Sequence, residues 1–224
     1  MKHDCSVAGR LISWSRRVWP AFAAGLLVCC VARLGDAHVI PPEKLHPVAE
    51  SYRRLAFVLN SNPVPWDLVR SDVAVVAGHW KTFDADAAEK LLAETGEVVS
   101  KATLKADEEK GIEPLARTEA SREVFRLVTV SVSAIFRHHI DAAAEKLDDR
   151  KAAHEEIKQA QGVWGSFDDV VRATDPQAHR RLGEAWLNLP TALGSAGLLG
   201  QGAMPANRAV FARESRELVN YVET

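Results

Sequence analysis

Beyond residue 43, apolar residues follow the three-to-four-residue spacing that marks one face of an α-helix. The first such segment carries Leu45, Val48, Tyr52, Leu55 and Leu59. The longest, over about residues 118–161, repeats the pattern with Val124, Val128, Val132 and Ile135. No run alternates apolar and polar residues as a half-buried β-strand would. The pattern therefore predicts an all-α fold, an antiparallel helix bundle of four main helices plus shorter ones.

Polar and helix-breaking residues predict where these helices begin and end. The turn residues at 60–63 end the first helix, and Asp84 is suited to cap the third. Beyond Lys146 the longest helix becomes polar on nearly all sides, which predicts that it projects, bends or breaks there. Pro190 predicts the end of a later helix, and the glycines at 194–202 predict a loop.

The first 37 residues have the pattern of an export signal. A basic stretch that includes Arg16 and Arg17 leads into an apolar run from Ala21 to Ala32, and Gly35 and Ala37 place small residues where a signal peptidase would cut. The pattern predicts a signal peptide over residues 1–37. A single all-helical exported domain over residues 38–224 would follow, periplasmic or secreted.

The apolar run of twelve residues is shorter than the roughly twenty that a membrane-spanning helix needs. The cleaved protein is therefore not expected to be an integral membrane protein. An uncleaved anchor and a lipoprotein modified at Cys29 or Cys30 are alternatives. Arg16-Arg17, followed by Trp19, also resembles a loose twin-arginine signal.

The cysteine positions and the net charge exclude several kinds of site and partner for the predicted exported domain. All three cysteines (Cys5, Cys29 and Cys30) lie in the predicted leader, so disulfides, thiolate metal sites and covalent haem are excluded after cleavage. Noncovalent haem stays open. Residues 38–224 hold 23 Lys and Arg and 28 Asp and Glu, a net formal charge of −5. This acidic balance argues against nucleic acid as a partner.

His138 and His139, in the longest predicted helix, are the strongest candidates for chemistry. At about 100° per residue, His139 falls within the arc of the inner apolar face. His138 lies near its edge, with Asp141 one turn further on. Inward histidines and carboxylates are how helix bundles hold metal ions such as iron and copper. The alternative is a pair of structural histidines hydrogen-bonded within the core.

Other histidines could add metal ligands. His46 and Glu50 are four residues apart and would share a helix face. His38 would become the new N-terminus, where its amine and Nδ1 could chelate a copper ion. We interpret His79, beside Trp80 and off the main apolar face, as structural.

No enzyme signature is present. The glycine-rich segment 194–202 lacks the Lys-Ser/Thr of a phosphate-binding loop, and neither G-x-S-x-G nor H-E-x-x-H occurs. The sequence therefore predicts no catalytic residues.

The segment His138-His139-Ile140-Asp141 resembles a short motif of the imelysin-like proteins, helical periplasmic proteins associated with bacterial iron uptake. In that group a His is followed three residues later by Glu, whereas this chain has Asp. The resemblance extends to the all-helical, exported architecture over most of residues 38–224, and no activity is carried over from it.

Two functional hypotheses follow. The first is an exported protein that binds or delivers iron or copper through His138, His139 and Asp141, with His46, Glu50 and His38 as further candidates. Carboxylates would favour iron and imidazoles copper. The second is a helical adaptor or subunit of a cell-envelope complex with structural histidines. In either case the partner would be a membrane transporter or another envelope protein.

Overall fold

The computed structural model describes residues 45–108, 114–195 and 202–223. Within these ranges it contains eight helices and no strand, apart from an isolated bridge between Ser195 and Met204. The helices are α1 Pro47–Val58, α2 Trp66–Trp80, α3 Ala85–Glu108, α4 Pro114–Glu145, α5 Arg150–Trp164, α6 Asp168–Thr174, α7 Pro176–Ala192 and α8 Arg208–Glu223. The prediction of an all-α chain is confirmed.

The longest predicted helix is broken into α4 and α5, as its polar segment beyond Lys146 indicated. Asp149 starts α5, because its Oδ1 accepts hydrogen bonds from the backbone N–H of Lys151 at 3.1 Å and of Ala152 at 3.0 Å. The break lets α5 turn back and pack along α4, which brings side chains of the two helices within hydrogen-bonding distance.

The prediction that a helix ends at Pro190 was wrong by two residues, because α7 continues to Ala192. Pro190 removes one backbone hydrogen bond and crowds the carbonyl four residues before it, but in the last turn, where helices often end irregularly, the chain continues for two residues.

Contacts divide the described residues into two compact units. The smaller covers residues 167–181. In it His179 Nε2 lies 3.0 Å from Asp168 Oδ1, and Asp175 Oδ1 accepts from the backbone N–H of Ala178 at 2.8 Å.

The larger unit comprises residues 45–166 and 182–223. Its core contains the inner face of α4, where Val128, Val132 and Ile135 are fully buried. An aromatic group of Phe136, Trp164 and Trp186 lies beside it, with ring centroids about 6 Å apart. The hydrophobic effect from these side chains fixes the positions of the helices that carry the histidines.

A buried ion pair also joins the first two helices. The Asp72 side chain on α2 is fully buried, and Arg54 Nε on α1 lies 2.9 Å from both of its carboxylate oxygens. Bidentate contact of this kind compensates a buried carboxylate, whose loss of hydration would otherwise destabilise the fold.

No helix in the described ranges is both long enough and apolar enough to cross a membrane. The predicted signal peptide, its cleavage after Ala37 and the residues up to 44 lie outside the described residues.

Candidate metal centre

Four histidines from three parts of the larger unit lie together. They are His46 at the N-cap of α1, His79 in the last turn of α2, and His138 and His139 in the last third of α4. The ring centroids are 4.9 Å apart for His46 and His79, and 5.4 Å apart both for His79 and His139 and for the two neighbours on α4. We call these four residues the histidine cluster.

Within the histidine cluster, His79 and His139 face each other through their Nε2 atoms, which are 3.1 Å apart. On its other side, His139 Nδ1 lies 2.8 Å from Glu156 Oε2 on α5. A carboxylate can only accept, so Nδ1 of His139 carries the proton and donates it. A neutral His139 then has a lone pair on Nε2, and the proton between the two rings belongs to His79.

Lys146 holds Glu156 from the opposite side, with Nζ 2.5 Å from Oε1. Burial acts to raise the pKa of Glu156, but the hydrogen bonds from Lys146 and His139 outweigh it, so the pKa is lowered. Glu156 is therefore a carboxylate at neutral pH. One continuous chain of hydrogen bonds runs from Lys146 through Glu156 and His139 to His79.

The lowered pKa values of His79 and His139 keep these two rings neutral at neutral pH. Burial, with the neighbouring histidines, lowers the pKa of His79 to about 4. Burial also lowers the pKa of His139, although the hydrogen bond to Glu156 acts in the opposite direction. A neutral imidazole has a lone pair available for a metal ion, whereas an imidazolium does not.

His46 is held in place by three contacts. Its Nδ1 accepts from the backbone N–H of Val48 at 3.3 Å, so its Nε2 carries the proton and donates to Gln159 Oε1 at 3.1 Å. Burial lowers the pKa of His46, although the hydrogen bond to Gln159 acts to raise it. Gly162 on α5 packs so closely that a Cβ added there would lie 2.8 Å from the Cβ of His46.

His138 occupies a different environment from its neighbour. Its ring stacks on Phe83 with centroids 3.7 Å apart and planes 3° from parallel. It is half-buried, whereas His139 is buried. His138 therefore lies at the edge of the inner face, as the helical periodicity predicts.

The two predicted carboxylates lie on the surface and not in the cluster. Asp141 is 62% exposed, and Arg137 Nε lies 3.3 Å from its Oδ2. Glu50 is 60% exposed and lies 3.7 Å from Arg54. His46 is the N-cap of α1, and its carbonyl oxygen accepts from the backbone N–H of Glu50 at 3.0 Å. His38 lies outside the described residues.

Sequence reasoning did not assign His79, Glu156 or Lys146 to the site. A signal for Glu156 was available, since Ala153, Ile157 and Ala160 form the buried face of α5 and Glu156 directly precedes one of them. His79 follows the buried residues Asp72 and Val76 by seven and three positions, so helical periodicity places it at the edge of the buried face of α2. The packing of α2 against α4 then shows that its ring meets His139.

The arrangement places two imidazole nitrogens, His79 Nε2 and His139 Nε2, face to face. Among the described residues, no group of three or more His, Cys, Asp and Glu side chains is positioned to hold a metal ion.

The resemblance to the imelysin-like proteins stays a prediction. The chain matches no known protein family model, no curated protein and no solved structure.

Proposed function

We propose that this chain is an exported helical protein that binds a copper ion between His79 and His139 and passes it on. The main support for this proposal is the distance of 3.1 Å between their two Nε2 atoms. Metal–nitrogen bonds are about 2.0–2.1 Å long, so two imidazoles on one ion at angles between 90° and 109° have nitrogens about 2.8–3.4 Å apart. The observed separation lies within that interval.

The partner of His139 on its other nitrogen also supports the proposal. Histidines that bind metals usually donate their second N–H to a carboxylate or carbonyl, which fixes the tautomer and raises the basicity of the ligand. Glu156 accepts such a bond from His139 Nδ1 at 2.8 Å, and Lys146 holds the carboxylate in place.

Metal binding would require one proton to move. Without metal, His79 carries its proton on Nε2, directed at His139. An ion placed between the rings needs both Nε2 lone pairs, so His79 must transfer its proton to Nδ1. Neutral rings change tautomer without any net uptake of protons, and the lowered pKa values of His79 and His139 favour the neutral rings.

The donor set favours copper over iron. The histidine cluster supplies imidazoles, and in the order of divalent metal affinities Cu²⁺ binds a given site more tightly than Fe²⁺ does. The carboxylates that would have favoured iron, Asp141 and Glu50, are engaged in surface ion pairs. With two protein ligands, the remaining coordination positions are open to water or to groups of a partner. Such a site suits delivery better than permanent storage.

Export and architecture complete the proposal. Cleavage after Ala37 would release the domain into the periplasm and give His38 a free amine eight residues before His46. That amine and the His38 imidazole could then supply further copper ligands. The short connections from α1 to α2 and from α2 to α3 favour an antiparallel arrangement of the main helices. The recipient of the ion would be a membrane transporter or another envelope protein.

The test is titration of the metal-free protein with Cu²⁺, with metal content measured by mass spectrometry after gel filtration. We expect about one equivalent of copper. We also expect His139→Gln to weaken binding by about tenfold or more, because loss of only a ligand's hydrogen-bonding partner already costs about 10- to 100-fold. His154→Gln is the matched control, because His154 is an exposed histidine on α5 outside the cluster. Copper below a tenth of an equivalent, or equal binding by the two variants, would contradict the proposal.

The second candidate function is a helical adaptor in a cell-envelope complex, with structural histidines. It is favoured by the hydrogen bonds of His46 and His139, which use both ring nitrogens of each without any metal. This candidate predicts that His139→Gln destabilises the fold equally with and without copper. The copper-binding proposal predicts that added Cu²⁺ raises the melting temperature of the parent protein but not that of His139→Gln.

A further inference from the structure

We propose that the groove between α4 and α8 binds a small organic anion with an apolar body, such as a medium-chain carboxylate. The groove is separate from the histidine cluster. At about 100° per residue, Arg137, Asp141 and Ala144 share one face of α4, and His139 lies on the opposite face. The groove therefore constitutes a second site, independent of copper.

The shape of the groove comes from small side chains over a buried apolar floor. Its volume is about 490 Å³, within the range of about 300–1,000 Å³ typical of small-molecule sites. Ala144 and Ala212 line it and leave room above Ile140 and Phe211, which are each 1% exposed. An alkyl chain placed there would leave water and contact these apolar side chains.

Five charged side chains line the groove: Arg137, Arg208, Arg216, Asp141 and Glu223. Arg137 pairs with both carboxylates, and its Nε lies 3.3 Å from Asp141 Oδ2. Arg137 Nη1 lies 2.9 Å from Glu223 Oε1, and Arg208 lies 2.7 Å from Asp148. Arg216 is exposed and has no hydrogen bond or ion pair with another residue in the described ranges.

Arg216 is therefore the uncompensated cation at the groove. Guanidinium groups recognise carboxylates through two parallel N–H···O bonds, more specifically than an ammonium group does. A carboxylate group at Arg216 would neutralise the guanidinium, and its alkyl chain would lie along Ile140 and Phe211.

The test measures binding of decanoate, below its micelle concentration, to the chelator-treated exported protein by isothermal titration calorimetry. Decanol serves as the uncharged comparison. We expect saturable one-to-one binding of decanoate that is at least tenfold tighter than that of decanol. Arg216→Glu should weaken decanoate binding at least tenfold, whereas Arg150→Glu on the surface of α5 should leave it unchanged.

A second pair of variants tests the apolar part. Ala144→Phe should fill the groove and abolish binding, whereas Ala93→Phe, at an exposed position of α3, should not. If Ala144→Phe fails to fold, Ala212→Phe replaces it. Equal affinity for decanol and decanoate, or unchanged affinity in Arg216→Glu, would overturn the proposal. Because chelator is present, neither outcome depends on the copper site.

Discussion

His79 at the end of α2 and His139 in the last third of α4 meet through their Nε2 atoms at 3.1 Å. The contact joins two helices that are 60 residues apart at this point in the sequence. The shared proton belongs to His79, because His139 already donates its Nδ1 proton to Glu156 and keeps a lone pair on Nε2.

Replacing Glu156 by Gln should weaken the copper site while keeping its shape. Gln retains a carbonyl oxygen that can accept from His139 Nδ1, but it removes the negative charge that raises ligand basicity. We expect copper affinity to fall by about 10- to 100-fold. Competition with a chelator of known affinity measures it. Glu155→Gln, one residue earlier and exposed, is the control, and equal affinities in the two variants would argue against a role for the carboxylate.

A methyl group at Gly162 should disturb the histidine cluster through His46. The new Cβ would lie 2.8 Å from the Cβ of His46, so one of the two must move. We expect Gly162→Ala to destabilise the protein by about 1–3 kcal/mol. Chemical denaturation of the metal-free protein measures this change in the free energy of unfolding.

Gly96 in α3 provides the matched comparison, because nothing lies within 4 Å of a Cβ added there. Gly96→Ala should stabilise the helix by about 0.5–1 kcal/mol. If Gly162→Ala proved as stable as Gly96→Ala, the packing of α5 against His46 would be looser than the distance of 2.8 Å indicates.

The periodicity of the sequence predicts part of this site, and its limits have physical causes. His139 was assigned to the inner face of its helix and His138 to the edge, and both assignments agree with their burial, because the α-helical repeat is a local property. Asp141 was expected near the metal, but it lies on the face that Arg137 shares and forms an ion pair there.

The remaining members of the site depend on tertiary packing. Glu156 reaches His139 only because the chain breaks after α4 and α5 folds back. The sequence indicated a bend or break near Lys146 but not its direction. His46 was expected on a helix face with Glu50, and it is the N-cap of that helix, which begins at Pro47.

The buried ion pair between Arg54 and Asp72 should contribute to stability. Arg54→Met would leave a buried carboxylate without its partner. Because the Arg54 side chain is itself 47% exposed, we expect a loss of about 2 kcal/mol, below the range for fully buried pairs.

Arg70→Met removes an arginine from a surface pair with Asp67, which is 99% exposed. This control should cost less than about 1 kcal/mol. Urea denaturation compares the two variants at pH 7, and equal losses would show that burial of Asp72 does not matter.

The metal-free protein should lose stability in mild acid. The folded pKa of His79 is lowered to about 4 from an ordinary value of 6.5, so between these values the unfolded chain binds more protons than the folded one. Stability is therefore fully present above about pH 6.5 and falls as the pH decreases toward 4. His46 and His139 act in the same direction.

Denaturation midpoints between pH 7.5 and 4.5 measure this effect. His79→Gln removes one titrating group and should flatten the decline, whereas His154→Gln should leave it unchanged. A decline of equal steepness in the parent protein and in His79→Gln would contradict the assignment to His79.

The most direct test of the copper site is electron paramagnetic resonance of the Cu²⁺-loaded protein, with ¹⁵N-labelled histidine to identify nitrogen ligands. The proposal predicts coupling to at least two imidazole nitrogens. It predicts loss of one of them in His79→Gln and in His139→Gln, and an unchanged spectrum in His154→Gln. A spectrum that stays the same in both cluster variants would place the copper elsewhere and contradict the site.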